Sequence, residues 1–136
     1  MESTIVYRIE ERPEAAEVAE LYRRAGLRRP VDDLERMGRM IAYANLIVCA
    51  RDGERLVGIA RALTDFSHCC YLADLAVDEA YQRQGIGKIL IERVQEAIGE
   101  EAMLLLLRRN DYRFEVNSLR WKALNSLNVC LRLLIY

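Results

Sequence analysis

Residues 82–88, Gln82-Arg83-Gln84-Gly85-Ile86-Gly87-Lys88, place two glycines one residue apart. An apolar strand-like run, Cys70 to Val77, gives way there to an amphipathic helix-like run, Ile86 to Ile98. The first backbone N–H groups of a helix starting here have no intrahelical acceptors, and the helix start carries about half an elementary positive charge. Glycine has no Cβ, so a ligand can come close to the main chain. The chemistry suited to such a place is holding an anion, phosphate above all. Two phosphate loops are excluded by spacing. In a nucleoside-triphosphate loop of the G-x-x-x-x-G-K-[ST] kind a hydroxyl residue follows the lysine, but Ile89 follows Lys88 and the earlier glycine is missing. A dinucleotide fingerprint needs a small residue three positions after Gly87, where Leu90 stands.

Other reactive side chains are weighed against plainer roles. Asp74, Asp78 and Glu79 are the carboxylates nearest the loop and so candidates for a general base, although Asp74 also fits a satisfied strand carboxylate. His68, the only histidine, lies beside Cys69 and Cys70, but neighbours on a strand face opposite ways and no third group orients them. Cys49, Cys69, Cys70 and Cys130 fall at no metal-ligand spacing, so reduced, mostly buried thiols and no metal are expected. Arg23, Arg24, Arg28 and Arg29, with Arg36 and Arg39, could meet an anionic acceptor or RNA; a solvated helix face is the default.

The elements that must position these groups follow from periodicity. Thr4 to Ile9 reads as an opening strand, and Ala15, Val18, Ala19, Tyr22 and Ala25 lie at helical spacing before Gly26. Asp32 and Glu35 have capping-box spacing ahead of Leu34, Met37 and Ile41. Leu46 to Ala50 and Leu56 to Leu63 flank a turn at Asp52-Gly53 and should pair antiparallel. Cys70 to Val77, the helix Ile86 to Ile98 and a buried strand, Ala102 to Leu107, form a parallel βαβ unit. The expected class is α/β, a mixed antiparallel and parallel sheet with flanking helices.

With the elements in place, Gln82 to Gly87 matches the Q/R-x-x-G-x-G/A signature, and "LADLAVDEAYQRQGIGKILIERVQ" resembles the acetyl-CoA motif of the GNAT acyltransferases. "RRPVDDLERM" and "DGERLVGIARALTDFSHCCYLADLAVD" resemble a subgroup of small bacterial GNAT proteins, so the resemblance covers much of residues 20 to 107. It implies the GNAT fold and acetyl-CoA as cosubstrate. It implies that the amides of Arg83, Gln84, Gly85, Ile86, Gly87 and Lys88 hold the pyrophosphate, and that Leu75, Ala76 and Val77 offer backbone bonds to the pantetheine arm. The Leu75 N–H corresponds to the oxyanion donor. By the same analogy Leu27 to Val31 borders the acceptor site. The activity implied is transfer of an acetyl group to a primary amine of a small molecule or protein; the alternative is a non-catalytic acyl-CoA-binding module.

The bulk properties agree with small partners. The 136 residues, 52% hydrophobic and 30% charged, fit one domain over 1–136, and a net charge of −1 does not suggest a surface that tracks nucleic acid. No membrane-length apolar run is present, and Met1 to Thr4 leads into a strand rather than a secretory segment, so a cytoplasmic protein is expected. Residues 108–136 differ: six basic and two acidic residues give +4, against −5 for residues 1–107. The family's tyrosine pattern is absent after Leu107. Tyr112, the nearest tyrosine beyond it, is the candidate general acid, at a spacing that matches nothing in the family. One hypothesis is an altered reading frame or engineered end near Arg108, which sequencing the natural coding DNA around codon 108 tests. A homodimer through this atypical arm stays open.

Overall fold

Gly53, at φ 61°, turns the chain back on itself so that Leu46–Asp52 (β2) and Arg55–Thr64 (β3) lie antiparallel. The two-residue loop is Gly53-Glu54. Asp52, expected in the turn, ends β2 opposite Arg55. The computed structural model describes residues 4–106. Ahead of the hairpin come Ile5–Ile9 (β1), Ala15–Ala25 (α1) and Leu34–Tyr43 (α2); after it come Cys69–Val77 (β4), Ile86–Ile98 (α3) and Met103–Leu106 (β5), with a one-turn 3-10 helix at Glu79–Tyr81. The sheet order is β1-β2-β3-β4-β5, antiparallel up to β4, with β4 and β5 parallel. The mixed sheet read from the sequence is therefore present.

Each face of the sheet carries a core. Ile86, Leu90, Val94 and Ile98 on α3 pack with Val48, Ala50, Val57, Ala60 and Leu72. Val18, Leu21, Tyr22, Met37 and Ile41 on α1 and α2 pack with Ile47, Cys49, Ile59 and Ala76. α3 sits very close to the sheet at Gly58, where a Cβ would meet Ile86 Cγ2 and Leu90 Cδ1 at 3.1 Å and Ala50 Cβ at 3.2 Å. Gly58→Val is expected to lower stability by about 1–3 kcal/mol through overpacking, read by urea denaturation.

The start of α2 differs from expectation by one residue. Asp33, not Asp32, is the N-cap, its carboxylate accepting from the Arg36 N–H at 3.0 Å. The Asp33 N–H bonds the Pro30 carbonyl, so a turn occupies the preceding residues and delays the helix; Asp32 instead pairs with Arg23 at 2.8 Å. Asp33→Ala should cost about 1 kcal/mol in the same denaturation experiment, and Asp32→Ala less.

The irregularity with most consequence lies in β4. Arg61 opposes Asp74 and Ala62 opposes Leu72, leaving Ala73 as a bulge. Cys70 and Leu72 face α3, but past the bulge Leu75 and Val77 face α3 while Ala76 faces α1 and α2. Asp74 shares the side of Ala76. Without the extra residue, period-two alternation would drive Asp74 into the apolar core under α3.

Candidate functional site

The loop after β4 is held by a local bond and one to β2, which leave its later amides free. Asp78 receives the Ala80 N–H at 3.0 Å and caps the 3-10 turn, and the Tyr81 hydroxyl donates to Asp52. Arg83 and Gly85 then take φ values of 65° and 84°, flanking Gln84, whose φ is not positive. Alternation of this kind turns successive N–H groups toward one concavity. Gly85 is the N-cap of α3 and supplies no side chain, and the first helical bond runs from the Ile89 N–H to the Gly85 carbonyl at 3.1 Å. Among the described residues, no backbone N–H from Arg83 to Lys88 donates a hydrogen bond. Arg83, Gln84, Gly85 and Lys88 are exposed, Gly87 is half-buried and Ile86 is buried in the core.

The adjoining strand edge follows from one bond. The Asp78 N–H donates to the Val57 carbonyl at 2.8 Å, so Ala76, two residues back, also turns its polar groups toward β3. Leu75 and Val77 then direct theirs to the opposite edge, the β5 side. Described pairing with β5 ends at Leu72 opposite Leu106. The Val77 carbonyl accepts from Gln82 Nε2 at 2.9 Å, which ties the first residue of the Gln82-to-Gly87 motif to the strand end. Of the three strand residues singled out, Leu75 and Val77 thus share the outer edge with the loop, whereas the backbone of Ala76 belongs to the β3 ladder.

Sequence reasoning missed the cluster around Asp74. Its carboxylate accepts from the Tyr22 hydroxyl at 2.7 Å, Arg29 Nε at 2.6 Å and Arg61 Nε at 2.6 Å. Burial works against ionisation, but the bond and charge of Arg61, with Tyr22 and Arg29, outweigh it and hold the carboxyl below its ordinary range. Burial and the Asp74 charge push the Tyr22 phenol up, so it stays protonated. A carboxylate so fully engaged is a poor proton acceptor, which removes Asp74 from the base candidates. Asp78 is equally committed, buried and paired with Arg55 at 3.1 Å and Arg24 at 3.7 Å. Glu79 is exposed, at the first position of the 3-10 turn.

The remaining candidates resolve simply. Among the described cysteines Cys49 and Cys70 are buried and Cys69 is exposed, all as free thiols. The Cys69 thiol is raised by desolvation and by the Asp65 carboxylate, which makes it a weak nucleophile. Arg23, Arg24 and Arg39 pair with nearby acids, as a solvated helix face would. Among the described residues no group of three or more His, Cys, Asp and Glu side chains could hold a metal, and no helix is long and apolar enough to cross a membrane. Tyr112, Cys130 and the arm from Arg108 lie outside the described residues.

The model of the Acetyltransferase (GNAT) family matches residues 7–112. The chain belongs to that family. A soybean (Glycine max) histone acetyltransferase, TAP1, is 46% identical over 41 residues, which are 30% of this chain and 18% of that protein. The chain thus aligns with under a fifth of the length of that curated relative. A GNAT family acetyltransferase from Streptococcus pneumoniae shares the fold, with a TM-score of 0.69, 24% identity and 98% of each chain covered. An aminoglycoside acetyltransferase, AAC(6')-Iy, solved with a bisubstrate analogue containing CoA, superimposes with a TM-score of 0.67 at 17% identity, covering 98% of this chain and 97% of its own. At these identities the solved structures speak for the GNAT fold alone.

Proposed function

We propose that the protein is an N-acetyltransferase that moves the acetyl group of acetyl-CoA to a primary amine. The observation that carries this is the run of unbonded amides from Arg83 to Lys88 at the start of α3, beside the outer edge of Leu75 and Val77. In this reading the diphosphate of the cosubstrate lies against those amides, where the helix start favours negative charge. Its pantetheine arm runs along the polar groups of Leu75 and Val77 much as an added strand would. Gln82 holds the Val77 carbonyl, so the arm has to share or displace that bond.

Transfer joins the amine nitrogen to the acetyl carbon and breaks the carbon–sulfur bond, with the amine proton lost and the thiolate protonated. In this reading the Leu75 N–H stabilises the oxyanion between these events. A lysine-like amine has a pKa near 10.4, so presenting it neutral at pH 7 costs about 4.6 kcal/mol. With Asp74 and Asp78 committed to arginines, a less basic amine, such as an α-amino group near pKa 8, lowers that cost to roughly 1–1.5 kcal/mol.

The test is release of free thiol from acetyl-CoA in the presence of a broad amine panel. Amine-dependent release supports the transferase; coenzyme binding with no release for any amine would replace it by the non-catalytic acyl-CoA-binding module.

A further inference from the structure

The cluster around Asp74 carries more positive charge and more hydrogen-bond donors than the fold uses. Two guanidiniums, Arg29 and Arg61, meet one carboxylate, and Tyr22 is neutral, so the group holds a net charge of +1. Asp74 is completely buried, while the side chains of Arg61 and Arg29 keep 11% and 25% of their surface exposed. A guanidinium has five N–H donors. Arg29 uses Nε on Asp74, Nη1 on the Arg28 carbonyl and Nη2 on the Ala73 carbonyl, and Arg61 uses Nε on Asp74 and Nη1 on the Met40 carbonyl. Arg61 also donates toward the Tyr22 oxygen, whose own O–H goes to Asp74; among the described residues the remaining donors of both arginines have no acceptor, and Asp74 itself is fully taken. The buried acid just past β4, Asp78, has two arginines of its own.

Position gives this surplus its meaning. Arg29 grips the backbone at Ala73, the bulge, two residues before Leu75 and the edge at which the acetyl group is placed above. It comes from the connection between α1 and α2, and Arg61 comes from β3, so the charge is fixed from two separate parts of the fold, both anchored on Asp74 of β4, rather than by one mobile arm. We propose that Arg29 and Arg61 recognise a carboxylate carried by the acceptor, so that the substrate class is amino acids and related amines bearing a carboxylate. A guanidinium matches a carboxylate with paired, charge-assisted bonds, and a second anion balances the buried charge that Asp74 leaves over. The same charge repels polyamines and lysine-rich peptides, whose amines come with further cations. This inference rests on the acetyl-transfer reading of the neighbouring edge.

The experiment measures binding to the full chain, by calorimetry with coenzyme A present, of each of the twenty common L-amino acids and of its carboxamide. The expected result is at least one amino acid that binds about tenfold or more tightly than its amide, with the difference lost in Arg29→Gln and partly restored in Arg29→Lys. Thermal unfolding of each variant checks that it is folded. Equal binding of acids and amides, preference for amides or diamines, or no amino-acid binding while coenzyme A binds would each overturn the proposal and leave acetyl transfer intact. Failure of coenzyme A to bind would instead strike the loop reading, and the acid-against-amide comparison then judges the arginine pair alone.

Discussion

Coenzyme A affinity is expected to fall at least about 100-fold in Gly87→Glu, with the domain still folded. A Cβ at Gly87 would meet only Val77 Cγ2, at 3.8 Å, and this glycine does not have a positive φ, so the backbone admits a side chain. A glutamate in the first turn of α3 even suits the helix charge. It would, however, put a carboxylate where the proposed diphosphate lies. Like charges about 4 Å apart cost about 4 kcal/mol near a protein surface, ample for that loss. Calorimetry for binding and thermal unfolding for stability read the two effects separately. Gly85→Ala makes a useful contrast: the φ of 84° is left-handed, so an alanine there should cost about 1–2 kcal/mol of stability. Unchanged coenzyme affinity in Gly87→Glu would remove the loop from the account.

The second large effect is on stability. Asp74→Ala should lower the unfolding free energy by about 3–5 kcal/mol, because it leaves Arg29, Arg61 and the Tyr22 hydroxyl without the acceptor they share. A loss below about 1 kcal/mol in chemical denaturation would show that the cluster does not hold the bulge. The pH dependence has a definite sign. The folded-state pKa of Asp74 is depressed, so its contribution is fully present above the unfolded value of about 3.9 and is lost as pH falls through the lower folded value. Glu10 acts in the same direction, lowered chiefly by its hydrogen bonds with the buried Arg51. Acid unfolding of the parent should therefore set in below about pH 4, and Asp74→Ala should lose part of that dependence.

The residues differ in how far they could be read from sequence. Ile86–Ile98 is bounded as expected because its apolar positions recur at helical spacing between two glycines that take positive φ values, Gly85 and Gly99. The β2–β3 pairing was legible from two apolar runs flanking Asp52-Gly53, with an error of one residue in the turn. The Asp33 cap was missed because two adjacent aspartates compete for one role and a tertiary partner, Arg23, settles which is free for it. The Ala73 bulge has no local signature: alanine is at home on either side of it, and only the register with β3 reveals the extra residue. The Asp74 cluster depends on that bulge and joins residues up to 52 positions apart, so no spacing rule could find it. Arg29 was in view as one of a row of arginines, several of which pair with ordinary acids at the surface, and as part of the segment Leu27 to Val31, but not as a partner of Asp74.

The most direct measurement is a titration of the isotopically labelled protein with coenzyme A, following backbone amide resonances by NMR. The account predicts saturable shifts concentrated at Arg83 to Lys88, with Leu75 and Val77 moving at the same concentration. Binding that leaves those amides unmoved, or that shifts a different face of the sheet, would contradict it.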